Sequence, residues 1–199
     1  LDGTSFSACT SPVQFTSANI TDGTHTFEVL SVDNSTNKDP SPASFNWTVD
    51  TIAPTTIINS AIDGNNSTIT NSSNTKSNAV MFDFSGNDTG GVGIDHLECS
   101  LDGTSFSACT SPVQFTSANL LDGTHSFLVI AQDKVGNMMT APVLFNWTVD
   151  TLPPTTAINT AIDGNNGTLV SGNSTMSTSM SFTFSGNDTN GVGIDHFEC

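Results

Sequence analysis

Apolar and polar side chains alternate along most of this chain with a period of two, and no stretch shows the three-to-four spacing of a helix. Val80, Phe82 and Phe84 fall on one side of an extended segment, with Met81 and Asp83 on the other. Leu97, Cys99 and Leu101 point away from His96 and Glu98. Val113 and Phe115 continue the pattern, then Phe127, Val129 and Ala131 in a longer run, then Phe145, Trp147 and Val149. Each run predicts a strand with one buried face. Residues 55–59 predict another. Turn signals separate them: the Gly/Asn/Asp segment 85–93, Asp122-Gly123, and Asp133 to Asn137. Residues 61–78 are polar and serine-rich, and are expected to form a long surface loop. The expected class is all-β, an antiparallel β-sandwich.

One stretch predicts a fastened hairpin. Residues 99–109 run from Cys99 through Asp102-Gly103, a pair suited to the positive φ of a tight turn, to Cys109. A strict two-residue turn would place Cys99 opposite Phe106, so a Cys99–Cys109 disulfide requires a looser loop or a diagonal pairing. Closing a ring of about eleven residues stabilises the fold by roughly 3 kcal/mol in the chain-entropy view.

The pattern also repeats as a whole. Residues 1–19 are identical to residues 101–119, and 94–99 recur as 194–199 with one change, Leu97 to Phe197. The period is 100 residues, and about two-thirds of aligned positions match. If the repeat begins at the Asp-Thr-x-x-Pro linker, residues 51–150 are one whole domain. Residues 1–50 are then the back half of a repeat and 151–199 the front half of another. Cys9 and Cys199 are expected to find partners across copies, head to tail. Phe27, Val29, Phe45 and Trp47 on one half, and Phe182, Phe184 and Phe197 on the other, are expected to form faces that a neighbouring copy covers. Such a contact is open-ended and builds a filament rather than a ring.

Composition narrows the partners. Nineteen acids face only Lys38, Lys76 and Lys134, for a net charge of −16. That excludes nucleic acid and anionic membranes as partners. No apolar run reaches membrane-span length, so direct membrane insertion is not expected. Paired cysteines and many Asn-x-Ser/Thr acceptors suit an oxidising, extracellular setting. The glycosylation candidates are Asn34, Asn66, Asn71, Asn87, Asn166, Asn173 and Asn187.

Three motifs in order carry a family resemblance: Glu-Cys-Ser-Leu-Asp-Gly through Ala-Cys-Thr-Ser-Pro, then Asp-Gly-Thr-His-x-Phe, then Trp-Thr-Val-Asp-Thr-x-x-Pro-Thr-Thr. Together they resemble the immunoglobulin-like, fibronectin type III-like tandem repeats of prokaryotic surface proteins, over the whole chain. The resemblance implies a seven-stranded sandwich at the cell surface and a stalk, filament or adhesin role, without catalysis. It also implies that His25 and His125 stand where related sandwiches often place a tyrosine, the ring turned inward and its polar end bonding upstream backbone.

Candidate chemistry is sparse. No Gly-x-Ser-x-Gly elbow is present, and no inward histidine has an evident acidic partner. His96, outward beside Glu98, is too little for a zinc site. In a sandwich of this topology the linker and two loops meet at one end, gathering Asp50, Asp88, Asp95 and Asp133 with Asn87 and Asn137. Calcium takes six to eight oxygens, many from carboxylates, and is the one cofactor these positions suggest. The expected role is an extracellular structural array whose partners are copies of itself. The alternatives are an adhesin, reading surface glycans or proteins through the variable segments 31–44 and 61–78, and a spacer within a larger surface enzyme.

Overall fold

The computed structural model describes residues 1–199, all of them strand, turn or coil. The strands are β1 (Gly23–Val29), β2 (Ala43–Val49), β3 (Thr55–Asp63), β4 (Ser73–Thr75), β5 (Val80–Asn87), β6 (Ile94–Leu101), β7 (Ser107–Cys109), β8 (Val113–Phe115), β9 (Gly123–Asp133), β10 (Val143–Val149), β11 (Thr155–Asp163) and β12 (Met180–Asn187). With no helix present, none is long and apolar enough to cross a membrane.

Residues 55–149 form two sheets. One has the order β4-β10-β9-β6-β7 and the other β3-β5-β8. Their inward faces are the alternating apolar sets of the sequence. Phe82 and Phe84 of β5 meet Phe127 and Val129 of β9 and Trp147 of β10 in one buried cluster. Phe82 stacks on Phe127 at 4.4 Å and lies 5.2 Å from both Phe145 and Trp147, so its ring joins the two layers. Burying an aromatic of this size contributes about 1.5–3 kcal/mol, with more from the ring contacts.

The ladders are antiparallel except one: β4 runs parallel to β10, pairing Trp147 with Ser73 and Val149 with Thr75. That strand lies inside the segment expected to be a surface loop, which needs correction. β3 continues to Asp63, shifted by a bulge between Ile58 and Ser60 that turns Ala61 inward. Ile69, Thr75 and Ser77 are buried as well. The polar letters mislead because their partners are internal. Asp63 accepts from the Thr75 hydroxyl at 2.6 Å and from the amides of Asn65 and Ser67, each at 2.9 Å.

The hairpin resolves diagonally. Leu97 pairs with Cys109 and Cys99 with Ser107, so the Cys99–Cys109 disulfide crosses the ladder with Cα atoms 5.8 Å apart. A loop longer than two residues connects the strands.

The flanks repeat half of this architecture each. The β1–β2 ladder sets His25 opposite Trp47 and Phe27 opposite Phe45, the register of β9–β10 one period earlier. The β11–β12 ladder sets Ile158 opposite Phe184 and Ala161 opposite Phe182, with the bulge of β3–β5 preserved. Neither hairpin has a covering sheet. Phe45 and Ile158 are each 67% exposed, and Phe182, Phe184, Phe197 and Val29 are exposed too, while Phe27 and Trp47 are half-buried.

Candidate functional site

The linker and two loops converge at one end of the central sandwich. Asp50 follows β2, Asp88 follows β5, and Asp133 ends β9. Each brings a carboxylate oxygen within 4.8 Å of the other two. Backbone amides shape the group. Asp50 accepts from the Ile52 amide at 3.0 Å and the Val92 amide at 2.8 Å. Asp88 Oδ2 accepts from the Gly93 amide at 2.7 Å. Asp133 is buried and accepts from the amides of Val135 and Asn137 and from the Asn137 side chain. Asn137 also donates to the Asp50 carbonyl at 3.1 Å, tying linker to loop. Burial pushes the Asp133 carboxyl up, but the bonds from Asn137, Val135 and Gly136 outweigh it and hold the group below the usual carboxylate range.

The loop packs tightly over these oxygens. A Cβ on Gly91 would press on both Asp88 oxygens and on Asp50 Oδ2, so a side chain there would have to displace the carboxylates. Asp88 Oδ1 is closed off from solvent and has no hydrogen-bond partner. No lysine nitrogen comes within 4.0 Å of the three carboxylates, and every acid–base pair in the molecule involves a histidine. The arrangement is a compact cluster of three carboxylates with no lysine in salt-bridge range, though Lys134 Nζ lies close to Gly93, and it is of a kind that accommodates a hard divalent ion such as calcium.

Asp95 lies apart from this group. It occupies a bulge in β6 between Ile94 and His96, and its carboxylate bonds the His96 ring at 2.8 Å. Glu98 approaches the other nitrogen of that ring at 3.4 Å, and the two acids, Asp95 first, hold the His96 pKa above its ordinary value.

Parts of the same site recur on the flanks. Asp150 accepts from the amides of Leu152 and Val192, and Asp188 from the Gly193 amide. Asp33, one period before Asp133, accepts from the Ser35 and Asn37 amides and the Asn37 side chain. The linkers are stapled in the same way at both junctions. The amide and hydroxyl of Thr51 donate to Asp22, and those of Thr151 to Asp122.

The remaining positions are on the surface. Cys9 and Cys199 are free and exposed. Asn34, Asn66, Asn71, Asn87, Asn166, Asn173 and Asn187 are all exposed. Asn71 Oδ1 accepts from the Asn146 amide at 2.7 Å and helps dock β4 beside β10.

The histidines hold what sequence reasoning missed. His125 is buried against Trp147, and its Nε2 meets the Leu121 carbonyl at 2.7 Å. Its Nδ1 meets Asp102 Oδ2 at 2.7 Å, so an inward histidine does have an acidic partner, contrary to expectation. The pair is 23 residues apart and joins only when the hairpin turn folds over the start of β9. The signal was available: both copies carry Asp-Gly at the turn and His at the same distance.

No protein-family model and no curated protein matches this chain.

Proposed function

We propose that this chain is a length of an extracellular structural array, a stalk or filament of immunoglobulin-like sandwiches standing end to end. The strand order supports the immunoglobulin-like reading: β3-β5-β8 opposes β7-β6-β9-β10, with β4 crossing to pair with the last strand. The disulfide suits an oxidising environment, and the cell surface is the setting we infer from it together with the exposed sequons.

One observation carries the array. The central sandwich is β3–β5 laid over β9–β10, and the flanks are those same two ladders without their covers. The β11–β12 face of one copy therefore has its complement in the β1–β2 face of the next, whether that copy is a separate molecule or further chain. By the central register, residues 194–199 would pair with segments 7–9 and 23–33 of that copy, bringing Cys199 beside Cys9. Sedimentation of the 199-residue chain across a concentration series is the test. Open linear oligomers, with Cys9–Cys199 cross-links on oxidation, are expected. A monodisperse monomer or a closed ring at every concentration would refute the array.

A second reading, calcium at Asp50, Asp88 and Asp133, is favoured by Asp88 Oδ1, a closed-off carboxylate oxygen with nothing to bond. In the array, Asp33 of one copy would join Asp150 and Asp188 of another to make the same set. Calcium is expected to raise the unfolding midpoint relative to a chelator, and Asp88→Asn to abolish the difference. The adhesin reading is weaker, because segment 61–78 is partly buried and hydrogen-bonded rather than free. A spacer in a larger surface enzyme would use the same array.

A further inference from the structure

We propose that the Asp2–His25 pair is a proton-operated latch that fastens a hairpin turn to the following strand and loosens as pH rises; Asp102–His125 shares its geometry. The geometry carries this. His125 Nδ1 lies 2.7 Å from Asp102 Oδ2, and Nε2 lies 2.7 Å from the Leu121 carbonyl. His25 is placed in the same way, 2.8 Å from Asp2 Oδ2 and 2.6 Å from the Thr21 carbonyl. A carboxylate and a carbonyl only accept, so an imidazole satisfies both partners at once only when both nitrogens carry hydrogens. Neither ring can escape to water: their side chains are 7% and 9% exposed, and each packs on an indole, His25 on Trp47 at 5.5 Å and His125 on Trp147 at 5.4 Å. The other carboxylate oxygen is committed as well, to the Thr26 amide at 2.8 Å and the Ser126 amide at 2.7 Å.

The surroundings are electrically simple. Asp102 is the only acidic side chain within 4.0 Å of His125, and Asp2 the only one within 4.0 Å of His25. The second hairpin strand presents neutral Trp47 or Trp147, and the turn before each histidine presents a carbonyl. The Leu1 ammonium acts on Asp2. Losing the ring proton sets a bare nitrogen against one of its two acceptors and loosens the tie, while the Asp2 amide keeps its bond to the Thr26 carbonyl at 2.8 Å and the Thr26 amide its bond to the Asp2 carboxylate.

The first copy supplies the sign. The Thr21 carbonyl and then Asp2 hold the His25 pKa above its ordinary 6.5, so its contribution is complete below 6.5 and disappears as pH rises through the folded value. The His25 ring and the Thr26 amide hold Asp2 below its ordinary 3.8, a contribution present above 3.8 and lost as pH falls through the folded value. The latch is closed between those limits and loosens on the alkaline side.

Long-range proton–nitrogen NMR of the 199-residue chain tests this without substitution. At pH 7 both ring nitrogens of His25 are expected to carry hydrogens; a bare nitrogen on that ring overturns the proposal. Asp2→Asn is expected to lower the pH at which His25 loses its ring proton, and an unmoved titration overturns it. The wild-type unfolding midpoint should fall between pH 6 and pH 9 more steeply than that of the His25→Gln chain. Equal slopes would mean the ring serves packing alone.

Discussion

Residues 1–19 and 101–119 are the same nineteen letters in two different structures. In the central copy this stretch holds β7 and β8, strands that pair with β6 and β5. At the chain start residues 7–9 and 13–15 form no strand. Likewise 94–99 belong to β6, whereas 194–199, one residue different, do not form one. Local propensity is identical within the first pair and nearly so within the second. What differs is the partner: β6 lies between β7 and β9, and nothing occupies those positions beside 194–199. Strand formation here is a property of the pairing, as expected where β-propensity reflects packing on neighbours.

The largest effects should separate covered from uncovered faces. Phe82 is fully buried and Phe182 is 52% exposed at the matching position. In dilute chain, Phe82→Ala should cost about 3–5 kcal/mol in chemical denaturation, and Phe182→Ala less than about 0.5 kcal/mol. Equal losses would mean that the flanking faces are already packed. At concentrations where copies associate, Phe182→Ala should instead weaken association.

The cysteines should divide in the same way, by a smaller amount. Cys109→Ser opens a ring of about eleven residues and should cost roughly 3 kcal/mol. Cys9→Ser, at the equivalent but free position, should leave dilute stability unchanged and remove oxidative cross-linking. Denaturation midpoints and a non-reducing gel read both.

The smallest effect lies in the linkers. Asp122→Ala removes the bonds to the Thr151 amide and hydroxyl and should cost about 1 kcal/mol. Small-angle scattering should then show a more flexible chain. An unchanged scattering profile would mean the junction owes its stiffness to Pro154 and the neighbouring bonds.

The buried faces were legible in the sequence because a period of two is a strong signal when one side is apolar: Phe82, Phe127 and Trp147 all lie where alternation places them. Segment 61–78 was not, because Asp63, Thr75 and Ser77 hydrogen-bond one another, and polarity satisfied internally reads as a loop. Asp50, Asp88 and Asp133 could be grouped because each stands at an element's end facing a shared junction. Asp95 could not be excluded from them, since the bulge that turns it toward His96 leaves no mark in the letters. The Asp102–His125 contact was missed for want of a pairing register across the 22 intervening residues.

The linker has one more consequence, for which half-domains can meet. With halves so alike, β1–β2 has the right face to cover β3–β5, the sheet that directly follows it, in competition with β9–β10. Thr56, near the start of β3, sits beside Val129 and Met139, at the far end of the β9–β10 ladder from Val149. To cover its neighbour, the chain after Val49 would have to double back along a seven-residue strand, about 20 Å. It would also have to cross the roughly 10 Å between sheets, some 22 Å in all. The six peptide steps from Val49 to Thr55 reach at most about 21 Å when straight, and Pro54 and the bonds anchoring Asp50 and Thr51 shorten that. The linker would thus act as a proofreader in the proposed array: stretched to its limit by any fold-back onto the adjoining sheet, it disfavours that pairing and leaves the face open.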